Sequence, residues 1–287
     1  YDLIVQSFTG LVAGEAKMDG DVPTYVYPAI GDYATGIQLS NSICAALYYR
    51  EKTGMGQRID VTLMGTSIAM QTSQFTWIDA WDNDILPAMI ADIHAAQAEQ
   101  KPFLEQVAIH NKYRPAAAGN IYYRIFQTAD GFIAVGALSH KLRLLTIGVL
   151  GITDPRFRPD GSFDLNPPNW EVEGPKLVQE VEALYRTKTT SEWGDRFQAA
   201  GIPAGPVHFI AELFGHPQTQ ANGLEIEVEH ELLGHMRLVG PPFQMSETPL
   251  AAQGPSPVLG ADTDEVLASM GYGGDKIAKL REEGVIR

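Results

Sequence analysis

The 287-residue sequence contains one cysteine, Cys44. A single thiol excludes an intrachain disulfide and any zinc or iron–sulfur site built from several cysteines. It fits a reducing compartment, so a cytoplasmic location is expected. No run of about 18 apolar residues occurs, so no transmembrane helix and no membrane partner are predicted. The opening residues lack the pattern of a basic and then apolar leader. Basic residues are also scarce, with 21 Lys and Arg against 35 Asp and Glu and a net charge of −14. A general nucleic-acid binder is excluded on that balance, because phosphate neutralisation needs clustered Lys and Arg. One small polyanionic ligand remains compatible with it. The G-x-S-x-G elbow and the G-x-x-x-x-G-K-[ST] loop are both missing.

What is present suits a soluble chain with an ordinary core. Hydrophobic residues make up 45% and charged residues 20%. A chain of this length buries roughly 75% of the surface of its unfolded form, so no disulfide or metal staple is needed. The opening Asp2-Leu3-Ile4-Val5-Gln6 reads as a strand or helix already under way, and an upstream portion is expected. A Gly- and Asp-rich turn follows at Gly14–Val22. After Gly31-Asp32 a helix is predicted with Ile37, Ile43, Ala46 and Leu47 near one face, ending at Thr53-Gly54-Met55-Gly56.

Arg58–Leu63 alternates polar and apolar residues, as a half-buried strand does, and a second helix is predicted over Met64 to Trp81. Residues 86–118, punctuated by Pro87, Pro102 and Pro115, read as irregular helix and connection. Tyr122–Gln127 and Phe132–Gly136 flank Ala129-Asp130-Gly131 as a β-hairpin. Helices are predicted near Ser139–Leu150 and Gly174–Tyr185, with a surface loop over Asp154–Asn169. Thr189-Thr190-Ser191-Glu192 has capping-box spacing and opens a further helix that ends at Gly201. Strands at Ile226–Val228 and Met236–Val239 and two short C-terminal helices complete an α/β pattern.

Among chemistry-bearing residues, Asp32 stands out. Its plain reading is a helix N-cap, since Asp accepts backbone N–H bonds there. Its functional reading uses the same physics. A helix N-terminus favours an anion, and the small Gly31, Ala34 and Gly36 leave room for a substrate to approach the carboxylate. His230-Glu231-Leu232-Leu233-Gly234-His235 lacks the i, i+4 histidine pair of a zincin and reads as a turn between strands. Asp79–Asp84 lacks calcium-loop spacing. No metal site is expected. Arg50, Lys52 and Arg58 read as a solvated helix C-terminus.

Separated stretches together carry a resemblance. They are Gly31-Asp32-Tyr33-Ala34-Thr35-Gly36, Thr53-Gly54-Met55-Gly56-Gln57-Arg58-Ile59-Asp60-Val61, Ala200-Gly201-Ile202-Pro203-Ala204-Gly205-Pro206-Val207, Gly240-Pro241-Pro242-Phe243 and Leu259-Gly260-Ala261-Asp262. The chain resembles the class III CoA-transferase family, the CaiB/BaiF group, which also holds formyl-CoA transferase and α-methylacyl-CoA racemase. The resemblance covers the later part of a family member.

It implies part of a Rossmann-like large domain plus a smaller α/β domain, in a family of interlocked homodimers. Residues 1–115 would belong to the large domain and 120–225 to the small one, with 226–287 returning to the large domain. It implies an acyl-CoA and a small carboxylic acid as partners, with coenzyme A a substrate moiety and no resident cofactor. The family's nucleophilic aspartate falls on Asp32. Its covering substrate loop falls on Pro115–Gly119, with Ala118 and Gly119 as candidates, though this segment has one glycine where the family's loop has several. The racemase branch also places its aspartate on Asp32, and Ser139 stands where that branch carries Glu. Three functions stay open at this point: a CoA-transferase, an α-methylacyl-CoA racemase, and a non-catalytic assembly fragment.

Overall fold

The structure is a computed structural model and describes residues 1–113 and 119–286. By internal contacts the chain divides into two compact units. One comprises Tyr1–Gly119 with Asn169–Pro175, and the other Asn120–Pro168 with the chain from Lys176 onward. The fold is mixed α/β. Its described strand pairs are all antiparallel.

The first unit is chiefly helical. Helices α1 (Asp2–Phe8) and α2 (Leu11–Glu15) precede a small hairpin of β1 (Met18–Asp19) and β2 (Val22–Pro23). Helix α3 (Ile30–Thr53) follows. It ends at Gly54, whose φ of +74° admits the left-handed turn and whose N–H donates to Arg50 O at 2.7 Å. Its predicted apolar face is largely solvent-facing, with Ile37 72% and Leu47 46% exposed.

Residues 55–62 form no strand, against the alternation of Arg58–Leu63. No described strand lies alongside to pair with them, and Arg58 instead bonds to the exposed Asp60. The second predicted helix is also shorter. Helix α4 (Leu63–Met70), opened by Thr62 Oγ1 accepting from Gly65 N, stops at Gln71, and only the short α5 (Asp79–Asp82) lies beyond. Conversely, the stretch read as irregular holds two regular helices, α6 (Ile85–Ala98) and α7 (Phe103–Tyr113). Pro87 is the third residue of α6 and Pro102 directly precedes α7. The first turn of a helix has no intrahelical N–H bond for a proline to remove.

The second unit has a closed core. Strands β3 (Tyr123–Gln127), β4 (Phe132–Gly136) and β5 (Ala204–Pro206) form an antiparallel sheet in that order. Helices α8 (His140–Leu150), α9 (Trp170–Tyr185) and α10 (Thr190–Ala199) accompany it, α9 starting within the first unit's residues. Phe126, Tyr185, Trp193 and Phe197 are each at most 1% exposed. The Phe126 and Tyr185 rings stack at 4.1 Å, and the Trp193 indole N–H donates to Tyr185 O at 2.8 Å. Burial raises the Tyr185 phenol well above its ordinary range.

The α10 capping box is complete. Glu192 N–H donates to Thr189 Oγ1, and Thr189 N–H donates to Glu192 Oε2 at 2.8 Å. Part of the predicted surface loop proves to be anchored inside: Asp154 and Arg156 are 2% and 4% exposed and ion-paired at 2.7 Å, and Asp154 also accepts from Tyr122 Oη. A 3-10 turn (Ile210–Leu213), α11 (Pro217–Ala221), the hairpin of β6 (Glu225–His230) and β7 (Gly234–Val239), and helices α12 (Thr263–Ser269) and α13 (Gly274–Glu282) complete the chain.

Candidate active site

Helix α3 begins two residues before its first acidic residue, which lies within its first turn. The N-cap is Ala29, which has no side chain to satisfy the first free N–H groups, and Asp32 is the third helical residue. The cap comes from elsewhere in the chain: Asp32 N–H donates to Asp2 Oδ1 at 3.1 Å. Asp2, 9% exposed, is itself held by Gln6, whose Nε2 donates to Asp2 Oδ2 at 2.5 Å. Gln6 is fully buried, and its amide also clamps Val26, donating to the carbonyl at 3.0 Å and accepting from the N–H at 2.8 Å. One buried amide thus fixes both the carboxylate that caps α3 and the strand of chain that leads into it.

Gly31 is required by this arrangement. A Cβ there would stand 2.6 Å from Asp2 Oδ1 and 3.2 Å from Ser67 Oγ. Around the same turn, Ser67 Oγ and Thr35 Oγ1 are buried without a hydrogen-bond partner among the described residues.

The plain N-cap reading of Asp32 does not match this geometry, because Asp2 does the capping. The Asp32 side chain is exposed, and its carboxylate accepts no hydrogen bond from any described residue. A carboxylate in the first turn of a long helix is favoured as the anion. With both oxygens open, it can attack an electrophilic carbonyl or take up a proton. Asp2 and Gln6 had no local signal of their own. Their i, i+4 spacing, which puts both side chains on one face of a helix, is the one pattern that could have paired them.

Of the two loop candidates, Ala118 lies outside the described residues. Gly119 is buried with φ of +65°, and a Cβ there would overlap the Trp170 indole, so packing alone demands glycine. The histidines at 230 and 235 sit in the β6–β7 hairpin. His230 Nδ1 accepts from Leu232 and Leu233 N–H in the turn, and His235 pairs across the strands with Glu229 at 2.9 Å. Among the described residues no three His, Cys, Asp or Glu side chains converge as metal ligands, and no described helix is long and apolar enough to cross a membrane. Two cavities of about 820 and 810 Å³ lie one in each unit, and Asp32 lines neither.

The model of CoA-transferase family III matches residues 1–263. The chain belongs to that family. It is 27% identical over its whole length to the succinyl-CoA:glutarate CoA-transferase of Mus musculus, of which it covers 59%. It is 29% identical over 94% of its length to the succinate–glutarate CoA-transferase of Agrobacterium fabrum, covering 60% of that protein. Formyl-CoA:oxalate CoA-transferase of Rhodopseudomonas palustris is 27% identical over the whole chain, with 66% of its own length covered. The chain therefore spans about three fifths to two thirds of these relatives. The fold is shared with solved structures. The protein Rv3272 of Mycobacterium tuberculosis matches 92% of the chain at 20% identity with a TM-score of 0.64, the chain covering 62% of it. A CaiB/BaiF family protein of Brucella suis matches 94% at 20% identity and 0.59, with 62% of it covered.

Proposed function

We propose that this chain carries the acyl-transfer aspartate of a CoA-transferase, and that Asp32 is that residue. The observation that carries the proposal is the divided labour at the start of α3, where Asp2 supplies the cap and leaves the Asp32 carboxylate exposed. Family membership adds the reaction class.

In the proposed sequence, a carboxylate oxygen of Asp32 attacks the thioester carbonyl of a donor acyl-CoA, and the C–S bond breaks to release CoA thiolate. The mixed anhydride keeps the acyl group activated, where a serine ester would be a lower-energy trap between two thioesters. The thiolate then attacks the aspartyl carbonyl, expelling the donor acid as a carboxylate and leaving an aspartyl-CoA thioester. The acceptor carboxylate attacks that thioester and forms a second anhydride. The released thiolate attacks its acyl carbonyl, which gives the new acyl-CoA and restores Asp32. Each anhydride step needs donors for a developing oxyanion. The relatives' names support an acyl-CoA and a carboxylic acid as substrates.

We further read the first unit as part of a Rossmann-like domain and the working enzyme as an interlocked homodimer. The exposed apolar residues of α3, such as Ile37 and Tyr48, supply surface for a second copy to cover.

The test is chemical. Hydroxylamine added during turnover is expected to convert Asp32 to its hydroxamate, and Asp32→Asn is expected to lower transfer by about 10⁴-fold or more while leaving the fold intact. Unmodified Asp32 under active turnover would defeat the proposal. The racemase reading predicts something different, namely deuterium entering the α-carbon of a 2-methylacyl-CoA in the absence of any acceptor acid.

A further inference from the structure

Gln6 is fully buried on the short helix α1, and no step of the reaction described above makes use of it. The groups around its amide each admit one role. The Val26 N–H can only donate, and it fixes Oε1 at 2.8 Å. The Val26 carbonyl can only accept, and it fixes Nε2 at 3.0 Å. The second Nε2 hydrogen is left for Asp2 Oδ2, at 2.5 Å. Asp2 in turn accepts the Asp32 N–H on its other oxygen, at 3.1 Å.

The consequence falls on Asp32. Its carboxylate accepts no hydrogen bond from a described residue, so its backbone alone sets its direction. One amide brackets that backbone from both sides. Val26, four residues before α3 begins, is held directly, and the Asp32 N–H is held through Asp2. Without the amide, both sides of the turn are released together. A reacting group displaced by about 1 Å can lose roughly 100-fold in rate. A carboxylate with no hydrogen bond of its own has nothing to offset such a shift.

We propose that Gln6 is a positioning residue for acyl transfer, which through Asp2 aims the Asp32 carboxylate at the thioester carbonyl. The inference rests on Asp32 as acyl carrier. Gln6 itself touches no substrate and moves no proton. Its amide is needed because it donates and accepts at once. Methionine would match its length without a donor, and glutamate would set a second carboxylate against Asp2.

The test is a single turnover with enzyme in excess over the acyl-CoA. Acetyl-, butyryl-, octanoyl-, succinyl- and glutaryl-CoA are screened, and the thioester that the wild type uses fastest is carried forward. Rapid quenching and mass spectrometry follow the aspartyl-CoA adduct on Asp32. Its amplitude counts the folded molecules, and its rate constant reports how well they are aligned. Gln6→Met is expected to lower the rate constant about 10- to 100-fold. Ser7→Ala, an exposed change on the same helix, is expected to leave it unchanged. Asp2→Asn alone sets one amide donor against another and is expected to be slow. Adding Gln6→Glu to it restores the pair with donor and acceptor exchanged, and the rate constant is expected to recover to within about fivefold of wild type. The Asp32 amide proton, followed by NMR without substrate, is expected to move upfield in Gln6→Met and to return in the double variant. A wild-type rate constant in Gln6→Met with only a smaller amplitude would make Gln6 structural and overturn the inference. A double variant no faster than Asp2→Asn would overturn it as well. In both cases the adduct on Asp32 still forms, and the acyl-carrier reading stands. No adduct on Asp32 from any of the thioesters would remove that reading and the inference with it.

Discussion

Helix α3 runs for 24 residues and buries one of them, Gly31, whereas α10 runs for 10 and buries both Trp193 and Phe197. Both have well-formed ends. The first is capped through space by Asp2 and stopped by Gly54, and the second is opened by its own Thr189–Glu192 box. Their stabilities have different sources. The aromatic cluster that α10 shares with β3 and α9 stabilises it most. Within this chain, α3 packs on α1 and α4 yet buries one residue, so it relies also on its terminal hydrogen bonds and on the intrinsic preference of a long helix. The contrast also separates roles. The buried helix holds a unit together, and the exposed one presents a carboxylate at its tip and an apolar face along its length.

The comparison is tested most severely by Trp193→Ala. The indole is 1% exposed, packs against Tyr185 at 5.0 Å and donates to its carbonyl. Truncation of such a ring costs about 3–5 kcal/mol. Hydrogen exchange through β3, β4 and α10 is expected to accelerate by the corresponding factor. Unchanged exchange there would show that the cluster is not what secures α10. Next in size is Gly31→Ala. The added Cβ would sit 2.6 Å from Asp2 Oδ1, so Asp2 must leave its capping position. A loss of about 1–3 kcal/mol is expected, as for other overpacked sites, with faster exchange at the Asp32 amide. A silent Gly31→Ala would mean that the cap from Asp2 contributes nothing to α3.

A smaller effect concerns the start of α10. Thr189 N–H and hydroxyl hydrogen bonds hold the Glu192 carboxyl below its usual range, and Thr190 N–H and hydroxyl bonds do the same for Asp130. A carboxyl depressed in the folded state binds its proton more readily when unfolded. Its stabilisation is therefore fully present above the unfolded value and disappears as pH falls through the folded one. The second unit is expected to lose stability on acidification below the ordinary carboxylate range, measured as a falling midpoint in urea. Thr189→Ala, which removes one side of the box, is expected to cost about 1 kcal/mol at neutral pH and to flatten that acid dependence.

The same contrast explains what could be read in advance. The capping box, the hairpin at 122–136, the β6–β7 turn and the C-terminal glycine of α3 are all specified within a few neighbouring residues, and each appears where local chemistry puts it. Asp32 at a helix start was legible for the same reason. The errors lie where a distant partner decides. Arg58–Leu63 has a strand's alternation but no described neighbour to pair with. Asp154 and Arg156, in a polar stretch with every mark of a surface loop, are buried because each satisfies the other. Pro87 and Pro102 look like punctuation in an irregular region, yet both stand at the openings of helices. Asp2 lies 30 residues from the group it caps, and nothing near Asp32 announces it.

The smallest expected effect is the one that most directly tests the exposed face of α3. Ile37 is 72% exposed, and glutamine is at least as good a helix former as isoleucine. Ile37→Gln is therefore expected to change the stability of the chain by no more than about 0.5 kcal/mol, the range of an ordinary surface substitution. The same change, combined with Tyr48→Gln, is expected to weaken self-association in sedimentation experiments if a second copy covers this face. A loss above about 1 kcal/mol in the unassociated chain would mean that α3 is held by packing after all. Its resemblance to α10 would then outweigh the difference. An intact stability with a weakened dimer would assign the apolar face to assembly and leave the tip of the helix, with Asp32, to chemistry.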